Sequence, residues 1–578
     1  MRFAFGFVAS LSIFMSTASV VYANTSAPTQ TAPVVMKKSG QDWSSLAPAL
    51  LKKKDFQGLL ELAQQWVESE PGSAFARLIL GVAHSNLKQH EQAAEAYREA
   101  LRIQPENVSA WYNLGVANGK LKQYDQAVPA LREALRIQSE NASVWYNLGL
   151  TYNNLKQYDQ AIQAYREALR IQPEYADAWY DLSLAYLDSS QYDQAIQACR
   201  EVLRIDPEDA RAWHNLGLAF NNLKQYDQAI QAYREALRID PEDASAWNNL
   251  GIAYNGFKQH DQAVYALREA LRIQPEYADA WYNLGIAHGK LKQYEQAIQV
   301  YREALRIQPE YADAWYNLGL AYNDLKQHEQ AIQAYREALR IQPQYADAWY
   351  NLGLVHDGLK QHEQAIQAYC EALRIQPGNV SAWYNLGIAH GKLQQYEQSI
   401  QAYREALRIQ PEDVDARYNL GIAHGKLQQY EQSIQAYREV LRIQPEYADA
   451  WYNLGIVYID SNQYDQAIQA YREAVRIDPA NASAWNNLGV AYFFQNQHDK
   501  VREVYSTLRK LNPAMADKYA STLMRAPGAN HPELPEANQL QKQQPQPQPQ
   551  RSHKRRKLQA LTKEGQSEVT VRHFLERT

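Results

Sequence analysis

An asparagine returns every 34 residues along most of this 578-residue chain, at Asn113, Asn147, Asn215, Asn249, Asn283, Asn317, Asn351, Asn385, Asn419, Asn453 and Asn487, with Asp181 as the one departure. A carboxamide offers two donors and an acceptor, which complement the C=O and N–H of a peptide backbone whatever its sequence. A column of them is chemistry for holding an extended peptide. The plainer alternative is a polar helix residue copied along with its repeat. Tyr282, Tyr316, Tyr350 and Tyr384 each stand one place before an asparagine, as do Tyr112, Tyr146, Tyr418 and Tyr452. An aliphatic residue follows each tyrosine by four, for example Ile286 and Leu320. Such an i, i+4 pair covers one patch of a helix. Facing a groove, it would favour an amphipathic peptide; otherwise it packs between neighbouring helices.

The other reactive residue types point away from catalysis. His288, His356, His390 and His424 share one register. A metal needs its ligands about 2 Å away, and equivalent side chains on helices packed ~8–10 Å apart do not converge to that distance. Packing histidines are expected, and no metal. Cys199 and Cys370 lie five repeats apart, too far for a disulfide, whose Cα atoms sit about 6 Å apart. The sequence holds no G-x-S-x-G and no phosphate loop. No enzymatic activity, cofactor or small-molecule substrate is expected.

The elements that position the asparagines follow from the aromatic residues. The chain has 41 Tyr and 13 Trp, which suggests one aromatic-rich module copied many times. Trp111, Trp145 and every 34th residue to Trp383 are tryptophan; Arg417 interrupts, and Trp451 and Trp485 resume. Prolines keep the same period up to Pro513, with Ser139 as a substitute. Within 312–345, Trp315, Leu318, Gly319 and Tyr322 form one apolar stripe, and Ala331, Ile332, Tyr335, Ala338 and Leu339 form another. Both have helical spacing, with a break at Lys326-Gln327, and Pro343 closes the second. A glycine inside a helix costs about 1 kcal/mol against Ala. Its return at Gly115, Gly217, Gly251 and Gly319 predicts a partner passing too close for a Cβ.

The pattern W-x-x-L-G-x-x-Y, then A-x-x-x-Y-x-x-A and a terminal Pro, resembles the tetratricopeptide repeat over about 440 residues. The resemblance implies an all-α, right-handed α-solenoid: stacked antiparallel helix pairs winding into a superhelix whose first helices line a concave groove. One pair cannot bury its stripe alone, but a stack makes a continuous core. The asparagine ladder is similar to that in the repeat region of the O-linked N-acetylglucosamine transferases. The 53 residues after Arg525 are too few for a catalytic domain, so transferase activity is not expected. Family members that clamp chaperone C-termini carry Lys at the Tyr place and Asn at the aliphatic place, and this chain has neither.

Thirteen tandem repeats over 74–515 follow a degenerate repeat at 40–73, and a capping helix is expected over 516–525. Arg2, an apolar run to Val21 and Val21-Tyr22-Ala23 read as an export signal cut after Ala23. An uncleaved anchor is the alternative; no cysteine follows that would support a lipoprotein anchor. Residues 24–39 are a linker, and 526–578 are expected to be a disordered Pro/Gln-rich and basic tail. The mature protein is thus expected to be soluble and periplasmic or extracellular. The total charge is −5; residues 1–39 carry +3 and 541–578 carry +6, which leaves −14 on residues 40–540. An acidic body excludes a nucleic-acid groove, which needs a basic stripe. The tail is free to contact an anionic surface or the chain's own groove. The expected function is a scaffold binding a protein or peptide partner. The rival is a structural spacer with proteins at its two ends and the groove unused.

Overall fold

In the computed structural model the described residues are 43–520. The export signal, the linker at 24–39, residues 521–525 of the expected cap and the 526–578 tail lie outside them. Among the described residues there are 29 helices and no strand. No helix there is long and apolar enough to cross a membrane. Two compact units divide between Pro173 and Glu174.

Each repeat has a 13-residue first helix and a 14-residue second, as in Ala312–Asp324 and His328–Ile341. The second helix is strongly amphipathic. Ala331, Ile332, Ala334, Tyr335, Ala338 and Leu339 are buried, and Glu329 lies in the first turn, where the helix dipole favours an acid. The first helix buries Ala314, Leu318, Gly319, Ala321 and Tyr322 against it. A Cβ added to Gly319 would lie 2.6 Å from the Tyr335 ring. What approaches too closely is therefore the tyrosine of the second helix, not its backbone. Leu131 and Leu267 take that role against Gly115 and Gly251.

The turn between the two helices is a Schellman-type cap. Gln327 N–H donates to Tyr322 O and Lys326 N–H to Asn323 O, both at 2.9 Å. This places Lys326 at φ 61°, and its counterparts in the other repeats, none of them glycine, share that left-handed backbone.

The tryptophan is not the buried anchor its periodicity suggests. Trp315 is half-buried, and its indole N–H donates to the carbonyl of Pro309 at 2.9 Å. The same bond joins Trp281 to Pro275, Trp349 to Pro343 and Trp451 to Pro445. On the second helices Arg306 bonds Glu303 at 2.9 Å and reaches Glu276 of the preceding repeat at 3.3 Å. These pairs recur along the second helices, where solvent screens them.

In the first unit, Trp43–Lys53 and Phe56–Ser69 form a pair ahead of the regular repeats. Trp43 stacks on Trp66 at 6.2 Å, and Trp66 meets Phe75 edge-on at 5.5 Å. In the second unit the last described helix, Pro513–Tyr519, buries Tyr519, whose hydroxyl donates to Val501 O at 3.1 Å.

Candidate functional site

Within each unit, first helices of successive repeats touch one another, whereas successive second helices stand further apart. The first helices therefore form the inner face of the stack. The asparagines lie on it at the sixth place of each first helix, half-buried in most repeats.

Their donors are already engaged. Asn317 Nδ2 donates to Asp313 O on its own helix at 2.9 Å and to the Tyr282 hydroxyl of the preceding repeat at 3.2 Å. Asn351 does the same with Asp347 O at 2.9 Å and the Tyr316 hydroxyl at 3.0 Å, and Asn147 and Asn419 repeat the arrangement. Asn385, Asn453 and Asn487 reach Tyr350, Tyr418 and Tyr452. A backbone carbonyl can only accept, so this contact fixes which end of the amide is nitrogen. The column is thus an inter-repeat bond as well as a surface. Asn147, Asn317, Asn351 and Asn419 cannot offer both donors and an acceptor to a peptide, as the residue type alone suggests; with both hydrogens spent, Oδ1 is what remains. Asn113 has Leu78 at the counterpart position in the preceding repeat, which offers no hydroxyl.

The tyrosines are largely spent on neighbours. Tyr282 and Tyr384 are buried, and Tyr316 and Tyr350 are half-buried. Tyr316 lies 6.0 Å from Tyr335 of its own repeat and 4.8 Å from Tyr345 at the start of the next. Tyr282 lies 4.9 Å from Tyr311. Burial pushes the Tyr282 hydroxyl well above the usual phenol range. Packing between repeats therefore accounts for most of each ring.

Residue type and spacing alone did not single out a further set, Tyr311 with Asp279 and Tyr345 with Asp313. The Tyr311 hydroxyl donates to Asp279 Oδ1 at 3.0 Å, and Tyr345 to Asp313 Oδ1 at 2.9 Å. Each aspartate stands four residues before a ladder asparagine, on the same helix face. Burial raises the Asp279 carboxyl above its usual range, and the Tyr311 hydrogen bond only partly offsets that. The available signal was Tyr-Ala-Asp-Ala-Trp at the helix start, where other repeats carry a capping Asn or Asp.

The tyrosine column breaks at His214 and Asn248. Asn249 Nδ2 lies 2.9 Å from His214 Nε2, and His214 Nδ1 lies 3.2 Å from Asp243 Oδ2. Asn283 Nδ2 donates to Asn248 Oδ1 at 3.0 Å, and Asn215 Nδ2 reaches Ser183 Oγ at 3.5 Å. Burial alone would raise the Asp243 carboxyl, but His214 and the Ala246 and Ser245 N–H groups hold it below its usual range.

His288, His356 and His424 are buried and His390 is half-buried; each meets a glutamine five residues on through Nδ1, at 2.5–2.7 Å. They pack the turn between the two helices. Among the described residues no group of three His, Cys, Asp or Glu is placed to hold a metal. Cys199 is buried, which pushes its thiol up to about 12, and Cys370 is exposed.

Helix pairs stacked in register, with one polar column running along their first helices, define an α-solenoid interaction protein. Tetratricopeptide-repeat models match residues 86–122, 106–173, 282–346, 334–367, 358–394, 392–428, 426–460 and 456–496. The chain belongs to the tetratricopeptide-repeat family, whose members bind protein or peptide partners. A model described as the cilia and flagella-associated protein 70 C-terminal domain matches residues 143–280. Comparison with curated proteins gives no match. Among solved structures the chain is similar to MamA, at 28% identity over 28% of this chain and 95% of that one, with a TM-score of 0.27. It is also similar to YrrB, a TPR protein with an unusual peptide-binding site, at 24% identity over 32% and 96%, TM-score 0.30. The Cut9–Hcn1 hetero-tetramer of APC/C aligns at 17% identity over 78% and 96%, TM-score 0.31.

Proposed function

We propose that this protein is a non-enzymatic scaffold that holds an extended segment of a partner protein along the inner face of its repeats. The observation that carries this reading is the asparagine column, in which Asn147, Asn317, Asn351 and Asn419 are fixed in orientation by their own helix and the preceding repeat, with Oδ1 left to bond the partner's N–H groups. A prepositioned acceptor loses little freedom on binding, which favours affinity. We further propose that it works outside the cytoplasm, on the strength of Arg2, the apolar run and Ala23.

The spacer reading draws support from the same bonds, since they tie repeat to repeat. One comparison separates the two. Asn283, Asn317, Asn351 and Asn385 are replaced together by Ala, and in a second variant Tyr316 and Tyr350 by Phe. The Tyr→Phe variant loses inter-repeat bonds but keeps the amides. Groove binding predicts a loss of roughly 0.5–1.5 kcal/mol per lost bond in the Asn variant beyond that in the Tyr variant, measured by calorimetry with the captured partner. Equal affinity of the two variants and the wild type would leave the spacer.

A further inference from the structure

We propose that the inner face over residues 278–379 selects a cationic extended segment, with Lys or Arg at about every third residue. This rests on the groove reading above and adds the chemistry of the partner.

Hydrogen-bond accounting points there first. Asn317 and Asn351 have both amide hydrogens directed into the protein, so they face a ligand as acceptors. An acceptor surface is matched by backbone N–H, ammonium and guanidinium groups, not by carbonyls or carboxylates. Charge points the same way independently. Asp279, Asp313 and Asp347 stand one turn before Asn283, Asn317 and Asn351 on the same face. A carboxylate has about four lone-pair sites, and the tyrosine hydroxyl takes one each from Asp279 and Asp313. Asn379 stands where a third such tyrosine would, and it caps its own helix through Ala382 N–H instead. The first helices of these three repeats carry one lysine, Lys290 in the last turn, and no arginine.

The fold gives up local stability for this arrangement. Tyr277, Tyr311 and Tyr345 sit at helix N-caps without a side-chain cap bond, as do Tyr175 and Tyr447, where Asn107, Asp209 and Asn379 supply one elsewhere. Burial also works against the ionised form of Asp279. The spacing follows from two repeats. Packed helices lie ~8–10 Å apart and an extended chain rises ~3.3 Å per residue, so about three residues of ligand pass each helix.

The test uses the full chain and three fluorescent 15-residue peptides: Lys at every third place in a Ser/Gly background, Glu at those places, and the same lysines clustered at one end. The Lys-spaced peptide should bind best. Asp279→Asn, Asp313→Asn and Asp347→Asn together should weaken it about tenfold, as three charge contacts are lost, and the loss should shrink as salt rises. Asn retains an acceptor for Tyr311 and Tyr345, and a thermal melt checks that the variant is folded. Equal binding of the Glu peptide, or no binding of the Lys-spaced one, overturns the proposal whatever the variant does. Equal binding of the clustered peptide overturns the spacing. If the four-Asn→Ala variant loses affinity while the Asp variant does not, charge selection fails and the groove stands. If neither loses affinity, the groove reading fails as well.

Discussion

The indole N–H of Trp315 donates to the carbonyl of Pro309, six residues earlier, at 2.9 Å. This bond joins the two most regular features of the sequence into one device. Proline ends the second helix of one repeat and leaves a carbonyl at the turn; tryptophan, at the fourth place of the next first helix, satisfies that carbonyl and fixes the angle at which the helix departs. Arg417 and Arg77 stand in the tryptophan place, and their guanidiniums reach the Pro411 and Pro71 carbonyls. The donor is therefore kept where the ring is lost.

Arg417 is the weaker solution. Its Nε is buried without a partner, a cost of about 1–3 kcal/mol, and it supplies less apolar surface than an indole. Arg417→Trp should slow amide exchange across 414–447 while leaving 312–345 unchanged, read by exchange mass spectrometry. A repeat array need not melt in one step, so local exchange is the sharper measure. Unchanged protection would mean that the guanidinium fully replaces the ring.

The helix pairs were legible because each helix carries an apolar stripe and a proline stop, both local in sequence. The asparagine column was legible as a set of residues but not as a set of bonds, since each partner lies 35 residues away. Tyr311 with Asp279 was hidden for the same reason, at a separation of 32. The left-handed turn at Lys326 was visible only as a break, because the usual glycine is absent. The indole bond is not legible from periodicity, which reports the size of tryptophan and not its one donor.

Two glycines of the first helices should respond oppositely to alanine. Gly319→Ala would push a Cβ to 2.6 Å from the Tyr335 ring, which is fully buried, so a loss of about 1–3 kcal/mol is expected. Gly289 has nothing within 4 Å of its Cβ position, and Gly289→Ala should gain about 0.5–1 kcal/mol from helix propensity. Exchange protection of 312–345 and 278–311 reports each. The same sign in both would refute the assignment of Gly319 to close packing.

Asp279 makes a signed prediction in pH. Its folded pKa lies above the unfolded value of about 3.8, so the protonated form is the one the fold prefers. That preference contributes fully below pH 3.8 and is lost as pH rises through the folded pKa. Asp279→Asn should match the wild type at the acid end and become the more stable of the two toward neutral pH, because Asn never ionises yet still accepts from the Tyr311 hydroxyl. Melting curves from pH 4 to 7 check the divergence. A variant that is less stable at pH 7 would show that the ionised carboxylate supports the fold.

The basic C-terminal segment has the charge to be a second ligand of the acidic inner face proposed above. Residues 541–578 carry +6 against −14 on residues 40–540, and Arg551, Lys554, Arg555, Arg556 and Lys557 lie close together. A flexible chain of 41 residues, the number from 526 to 566, would span about 35 Å, enough for the last few repeats and too little for the first. Asp415, Asp449 and Tyr452 are within that stretch of the stack, and Val571, Phe574 and Leu575 would follow the basic run onto it. Occupancy there would compete with a cationic partner whose segment runs on from residues 278–379 past Asp415. Deleting 541–578 should therefore tighten binding of the Lys-spaced peptide at low salt, with the gain fading as salt screens the attraction beyond about 8 Å. Asp415→Asn with Asp449→Asn in the full chain should produce part of the same gain, by releasing the tail. Unchanged affinity after deletion, at both salts, would assign the tail to an external anionic surface such as lipid, and vesicle co-sedimentation with and without residues 541–578 would then show the difference.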